Sequence, residues 1–421
     1  MSADGRLDDM RARRSLLPAL GALSAFGPLS IDLYIPALPR LGKDLLTTEA
    51  LTQVTMSACL IGIAVGQLLW GPISDRYGRR RPLLWAVAAF ALCSFLCAAA
   101  PSIELLILVR LLQGLCGAAG LAIGRAVVHD VFHGAEATAA FAALTAIAGA
   151  APVLAPLIGG GLLAFTDWRG LFLALGAIGL ALLLTAALCV PETLPAAQRT
   201  TGGLGSDLRG LGAALSNAPF MVFAITLGLA TGGFFTYLQM SSFVLQREYG
   251  VGAQGFAVIF AVNAGGIMLG AWISRRVARR SSRSAPDAGA PAGIARRRRD
   301  SGRRLVLWSL SLGTVAAAAV LLSALLHSPL PWLLPPLFLL VALHGVNNPT
   351  LTALALSRIT RGAGSASAVL GTLAALLGAL VPPLLSQAGV SATLMGATML
   401  VAFAAALAVL ALTGRVTRTG G

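Results

Sequence analysis

Charge is what this sequence has least of. Only 11% of its 421 residues are Asp, Glu, Lys or Arg, where a soluble domain carries about 25%. Lysine occurs once, at Lys43. So few charges cannot cover a water-facing surface, which excludes a soluble globular protein of this length. No phosphate-binding loop of the form G-x-x-x-x-G-K-S/T is present either, so transport driven by ATP bound to this chain is excluded. Cysteine is sparse: Cys59, Cys93, Cys97, Cys116 and Cys189 all fall in apolar stretches, where a free thiol behaves as a small hydrophobe. Their spacing fits neither a zinc site nor a disulfide framework. His129 and His133 flank Asp130 at an i,i+4 spacing, but in a cytoplasmic loop without further ligands, so no metal or cofactor is expected. No nucleophile–base constellation is visible, and enzyme chemistry is not expected.

What the chain does have is apolar length. Hydrophobic residues make up 57% of it, and the mean hydropathy is +0.83. Apolar runs fall at 16–38, 51–74, 82–100, 103–124, 138–165 and 168–190. They resume at 218–243, 254–274, 304–326, 332–356, 364–388 and 391–413. Each is long enough to cross a hydrocarbon core of ~30 Å as a helix, whereas barrel strands need alternating segments of about ten residues. The arginines before the first run (Arg6, Arg11, Arg13, Arg14) imitate a signal peptide. That run extends from Ser15 to Pro39, past the ~7–15 residues of a cleavable core, and reads as a retained helix.

Arginine placement fixes the orientation. With the N-terminus in the cytoplasm, 26 of the 31 Lys and Arg residues face inward; only Arg40, Lys43, Arg169 and Arg247 face outward. That asymmetry is what the positive-inside rule requires of an even number of spans with both termini cytoplasmic. It also explains the net charge of +15 without nucleic acid as a partner. The Arg296–Arg299 run lies in a cytoplasmic segment, 277–303, rich in Ser, Ala, Pro and Gly and expected to be flexible; its arginines anchor topology, with anionic lipid headgroups as the alternative role. The linker-like composition of 191–217 divides the chain into six-helix bundles at 1–190 and 218–421. The expected architecture is therefore an all-α membrane protein of twelve transmembrane helices, a monomer whose two bundles enclose a substrate.

An ionisable side chain at membrane depth costs at least ~2.5–3.5 kcal/mol and marks function by default. Of the sixteen acids only Asp32 is expected to be embedded, in Ser30-Ile31-Asp32-Leu33-Tyr34-Ile35-Pro36, and Arg110 is expected to be the only embedded base. Asp32 lies ~12 Å before Arg40 and Arg110 ~9 Å after Glu104 at ~1.5 Å per residue, so the two occupy similar levels in the outer half. A carboxylate that alternates between a cationic neighbour and an apolar surrounding can take up and release a proton; a fixed ion pair that only holds helices together is the alternative. The second run ends in Gly71-Pro72-Ile73-Ser74-Asp75-Arg76-Tyr77-Gly78-Arg79-Arg80. Gly71 there is expected to permit close helix approach and Gly78 a tight turn, while Asp75 suits a neighbouring helix N-terminus, near Gly362–Ser367.

The stretch from Gly71 to Arg80 resembles the signature loop of the major facilitator superfamily. Arg110-Leu111-Leu112-Gln113-Gly114 resembles the arginine motif of its drug:proton antiporters. Pro152, Pro156, Gly159 and Gly160 resemble their antiporter motif, although Ala155 stands where glycine is usual. Ser30–Pro39 is similar to the first-helix signature of the bicyclomycin-resistance (Bcr/CflA) group of exporters.

The resemblance implies a proton-coupled efflux pump of the bacterial inner membrane for antibiotics or similar amphipathic compounds. In that scheme Asp32 and Arg110 couple the proton, and Gly71, Asp75, Arg76, Gly78, Arg79 and Arg80 form a cytoplasmic gate. No cofactor is implied beyond the proton gradient. Candidate pocket residues are Tyr34, Gln113, Phe234, Tyr237, Asn263 and Asn347, with Phe235, Gln239 and Asn348 beside them; packing and interface anchoring are the alternative roles. A metabolite exporter or importer shares the same fold, and a non-transporting sensor or scaffold is the rival from another class.

Overall fold

Inside a bilayer every backbone N–H and C=O must be satisfied within the protein, which favours helix wherever the chain is apolar. The computed structural model describes residues 3–199, 212, 215–283, 291–359 and 363–413, and it is all-helical apart from connecting turns. The first half runs α1 (Ala3–Asp32), α2 (Leu38–Asp44), α3 (Glu49–Tyr77), α4 (Arg80–Ala98), α5 (Ile103–Val131), α6 (Gly134–Leu162) and α7 (Trp168–Cys189). The second runs α8 (Ala218–Phe243), α9 (Ala253–Arg283), α10 (Pro291–Leu325), α11 (Leu330–Leu356), α12 (Ala363–Leu385) and α13 (Ala392–Leu412). Among the described residues ten spans are long and apolar enough to cross a membrane, the first of them joining α1 and α2; α6 and α12 contribute shorter apolar stretches, Ala150–Leu162 and Val369–Leu385. The protein is a multi-pass membrane protein.

Helix starts are set by local chemistry. Thr48, Ser102, Asp167, Asn217 and Ser391 each accept a backbone N–H from the first turn that follows, satisfying donors that the helix itself leaves open. Glu248, in the π-turn after α8, serves α13 the same way: both its oxygens lie within 3.1 Å of the Ala392 N–H.

The chain divides into two compact units, Met1–Gly202 with Ala253–Val258, and Gly203–Gly252 with Ile259–Gly421. Each contains the same crossing. In the first, a Cβ on Gly62 would collide with the Leu111 carbonyl, and one on Gly114 with the Cys59 carbonyl. In the second, a Cβ on Gly270 would collide with the Ala342 carbonyl, and one on Gly345 with that of Ile267. In both pairs each glycine lies on the carbonyl three residues before its partner glycine. The crossing joins the second and fourth apolar runs of each half. The sequence alone shows no such repeat, because residue identities around the two pairs differ. Small residues at helix crossings let backbones approach where lipid supplies no hydrophobic drive. Gly114→Ala is therefore expected to destabilise by about 1–3 kcal/mol through overpacking and to lower the thermal midpoint in detergent. Gly161→Ala, which points into open space, is expected to leave that midpoint unchanged or raised.

Three expectations need correction. The segment 277–303 is not simply a flexible loop: residues 277–283 continue α9, and residues 291–303 open α10. Ala and Arg are strong helix formers and proline suits a first helical turn; residues 284–290, and much of the linker 191–217, lie outside the described residues. His129 and Asp130 are not in a loop but in the last turn of α5, which runs to Val131. And Gly71 does not mediate a close approach: a Cβ there would meet nothing within 4 Å. On the same helix Gly62 and Gly66 take that role, each against the α5 backbone.

Candidate functional site

The first span breaks where its acid sits. Pro36 lacks the N–H that would bond the Asp32 carbonyl, and a proline ring crowds the carbonyl four residues before it. Helix α1 accordingly ends at Asp32; a short turn, Ile35–Ala37, leads into α2. The side chain of Asp32 is only 5% exposed. Among the described residues its carboxyl group has neither a hydrogen bond nor an ion pair.

Arg110 is fully buried and does not pair with Asp32. Its Nη1 donates to the Ser30 carbonyl at 3.0 Å and to Gln113 Oε1 at 2.5 Å. The guanidinium lies over the rings of Tyr34, 4.5 Å from its centroid, and Phe172, at 5.5 Å. The Ser30 carbonyl is available because the helix stops before Tyr34 can bond it. A cation on the carbonyl end of a helix is electrostatically favourable, so Arg110 caps the break that Pro36 creates. Gln113 Nε2 donates to Ser94 Oγ at 2.7 Å, and Tyr34 Oη lies 2.9 Å from Thr55 Oγ1. Four elements, α1, α3, α4 and α5, thus meet at the broken end. From α6, Gly159 packs against the Leu33 carbonyl so closely that a Cβ would collide with it. Pro156 and Gly160 are buried beside it, Pro152 is half-buried, and α6 stays helical through both prolines.

The opposite end of α3 holds a charge cluster. Gly78 closes the helix with φ of 88°, a backbone state that favours glycine. Arg79 donates to Asp75, to Ser74 Oγ at 2.8 Å and to Asp130 Oδ2 at 2.9 Å. Burial opposes a charged Arg79, but its bonds to Asp130 and Asp75 outweigh that and raise its pKa above the ordinary arginine value. Glu192 accepts the backbone N–H groups of Arg79 at 2.8 Å and Arg80 at 3.3 Å. Arg80 reaches the Ala187 carbonyl, and Arg76 is exposed over the Tyr77 ring. Asp75 is half-exposed, with Arg79 as its ion-pair partner. Gly362, at the start of the segment expected to receive Asp75, lies outside the described residues.

Partial burial pushes the Glu192 carboxyl upward, yet the N–H groups of Arg79, Leu194 and Arg80 together with Arg199 hold it below the usual carboxylate range. A carboxyl depressed in the folded state contributes stability above its unfolded pKa and loses it as pH falls through the folded value. Wild-type protein is therefore expected to lose thermal stability on acidification below the ordinary glutamate pKa more steeply than Glu192→Gln. Parallel midpoint-versus-pH curves for the two would show that Glu192 does not hold this cluster.

In the second unit the pocket candidates partly assemble. Asn263 Nδ2 donates to Tyr237 Oη at 2.9 Å, and the Tyr237 ring stacks on Phe260. Phe234 lies 6.2 Å from Tyr237 and contacts Phe235 edge-on. Gln239 donates to the Gly378 carbonyl. Asn347 is fully buried, whereas Asn348 is exposed.

Sequence reasoning weighed Asp130 only beside His129 and His133, not as a partner of Arg79, and it passed over Glu192 and His344. Asp130 and Glu192 lie 51 and 113 residues from Arg79, so nothing in the sequence pairs them with it. His344 was readable as an ionisable residue in the middle of an apolar run, and it is 7% exposed with its ring stacked on Phe234.

The chain is 37% identical to an uncharacterized MFS-type transporter of Bacillus subtilis (strain 168), YdgK, over 93% of each chain. It is 27% identical to a bicyclomycin resistance protein homolog of Haemophilus influenzae, over 61% of this chain and 65% of that one. Among solved structures it shares the fold of a mutant form of the nucleoside transporter NupG, with a TM-score of 0.74 at 13% identity over 95% of this chain and 99% of that one. Residues 20–382 match the Major Facilitator Superfamily, and the chain belongs to that family of transporters, which is not an enzyme family.

Proposed function

We propose that this protein is a proton-coupled exporter of small amphipathic molecules, antibiotics among them, working by alternating access in the bacterial inner membrane. The observation that carries this reading is Asp32, a buried carboxyl without a protein partner among the described residues, at a helix break. Its surroundings, the break at Pro36 and the Arg110 cap, are built from discontinuous helix, the usual material of transporter binding sites. The bicyclomycin-resistance name borne by one relative favours export and supports grouping the chain with such exporters. Twelve spans, cytoplasmic termini and a gate built on Asp75 and Arg79 belong to the same proposal.

Expression in a drug-hypersensitive bacterium should raise the inhibitory concentration of bicyclomycin or another amphipathic drug in a panel, and an uncoupler should abolish drug extrusion. Uptake of a metabolite in place of drug export would sink the direction proposed. For topology, alkaline phosphatase fused after Gly421 is expected to stay inactive, since both ends face the cytoplasm; strong activity would overturn the even span count.

A further inference from the structure

Buried polar groups nearly always find hydrogen-bond partners, so a cluster of exceptions on one helix face calls for an explanation. On α11, His344 and Asn347 stand three residues apart and therefore on one helix face. Asn347 is fully buried and His344 is 7% exposed. Neither the Oδ1 nor the Nδ2 of Asn347 has a hydrogen-bond partner among the described residues, and neither does His344 Nδ1. The other buried side-chain amides of the same unit are paired, Asn263 with Tyr237 and Gln239 with the Gly378 carbonyl. The hydroxyls of Thr231 and Ser241 also lack partners among the described residues, but each is a single group, whereas Asn347 leaves both a donor and an acceptor open. The imidazole is also held in a fixed plane, since Phe234 stacks on it at 4.1 Å with the rings 6° from parallel.

We propose that His344 and Asn347, with the ring of Phe234, form a subsite that recognises a neutral planar amide on the transported molecule. An asparagine side chain offers one acceptor and one two-proton donor next to each other, and its complement is a group carrying a donor beside an acceptor. A cis amide, as in a lactam, is such a group, because its N–H and C=O lie side by side on one edge, whereas the trans amide of an open chain points them in opposite directions. A carboxylate would satisfy Nδ2 but oppose Oδ1; an ammonium group would do the reverse. The imidazole serves as donor or acceptor according to its tautomer, which lets it meet a second polar atom of the ligand. Half-buried Phe234 supplies apolar area for an adjoining ring. An apolar side chain at 347 would avoid the cost of unpaired polar atoms, so keeping asparagine there makes sense if a ligand completes it.

The inference rests on the transporter reading above but not on the direction of transport. Its test uses the purified full-length protein in lipid nanodiscs and two probes of one shape: the lactam 3,4-dihydroquinolin-2(1H)-one, whose amide is held cis, and the ester 3,4-dihydrocoumarin, in which oxygen replaces the amide N–H. Wild type is expected to bind the amide at least tenfold more tightly than the ester. Asn347→Leu is expected to bring the two within about twofold, and His344→Phe to reduce the preference partway. Without ligand, Asn347→Leu is expected to raise the thermal midpoint, because it removes two unpaired polar atoms. Absence of an amide preference in wild type overturns the proposal, whatever the variants do. So does an unchanged preference in Asn347→Leu accompanied by a lowered midpoint, which would make the asparagine structural. Failure of drug export in cells with the amide preference intact would refute the export reading alone. Export with no amide preference would refute the subsite alone.

Discussion

Asp32→Asn is expected to abolish uphill efflux while leaving a folded protein in the membrane. The carboxyl group of Asp32 makes no hydrogen bond or ion pair among the described residues, so replacing it with an amide of the same shape breaks no contact. What it removes is a charge state. In the proposed cycle, a proton enters and neutralises Asp32 when the site faces outward. An incoming cationic substrate favours the ionised form when the site faces inward, and the proton leaves. Exchange follows because proton and substrate compete for one charge state of one group. A side chain that cannot ionise has no such competition, so drug still equilibrates across the membrane but no longer accumulates against its gradient. The measurement is drug accumulation in everted vesicles under an imposed pH gradient, wild type against Asp32→Asn, with counterflow of labelled drug as the check on folding and binding. Uphill accumulation by the variant at the wild-type rate would remove Asp32 from the mechanism.

Much of the fold was readable because hydropathy reports one physical requirement, that backbone polar groups be satisfied inside lipid. The run at 218–243 coincides with α8, and most other runs differ from their helices by a few residues. Two features were written in the sequence but in a different rule. The break at Asp32 follows from Pro36 and the four-residue reach of a proline ring, yet hydropathy is blind to it, since both sides of the break are equally apolar. The basic segment before Arg303 has the composition of a linker, but Ala and Arg propensity wins there and α10 extends through it. The candidate site was legible as residue identities and not as partners. Depth along two helices placed Asp32 and Arg110 at one level, but which way each side chain faces is set by packing. The arginine found the Ser30 carbonyl because the helix break exposes that carbonyl. The Gly–Gly crossings were invisible for the same reason: a glycine does not announce the carbonyl it will lie against.

The location of Arg110 makes it the second residue whose loss should be severe, and for a different reason from Asp32. Its guanidinium joins the Ser30 carbonyl of α1 to Gln113 of α5 while covering the Tyr34 ring. Hydrogen bonds to charged groups contribute about 1.5–3 kcal/mol each, and a buried acceptor left without its donor costs a further share of that order. Arg110→Met removes both bonds at once and leaves the Ser30 carbonyl and Gln113 Oε1 facing an apolar side chain. It is expected to lower the thermal midpoint in detergent and to reduce transport at least tenfold. Arg110→Lys keeps the charge but loses the planar fork and the stacking on Tyr34 and Phe172, so it should fall between the two in stability. If Arg110 acts by holding the broken end of α1, transport and stability should decline together from wild type through lysine to methionine. A methionine variant of wild-type stability that has lost only uphill efflux would instead assign Arg110 a direct part in proton coupling. A methionine variant that pumps like wild type would remove the residue from both roles.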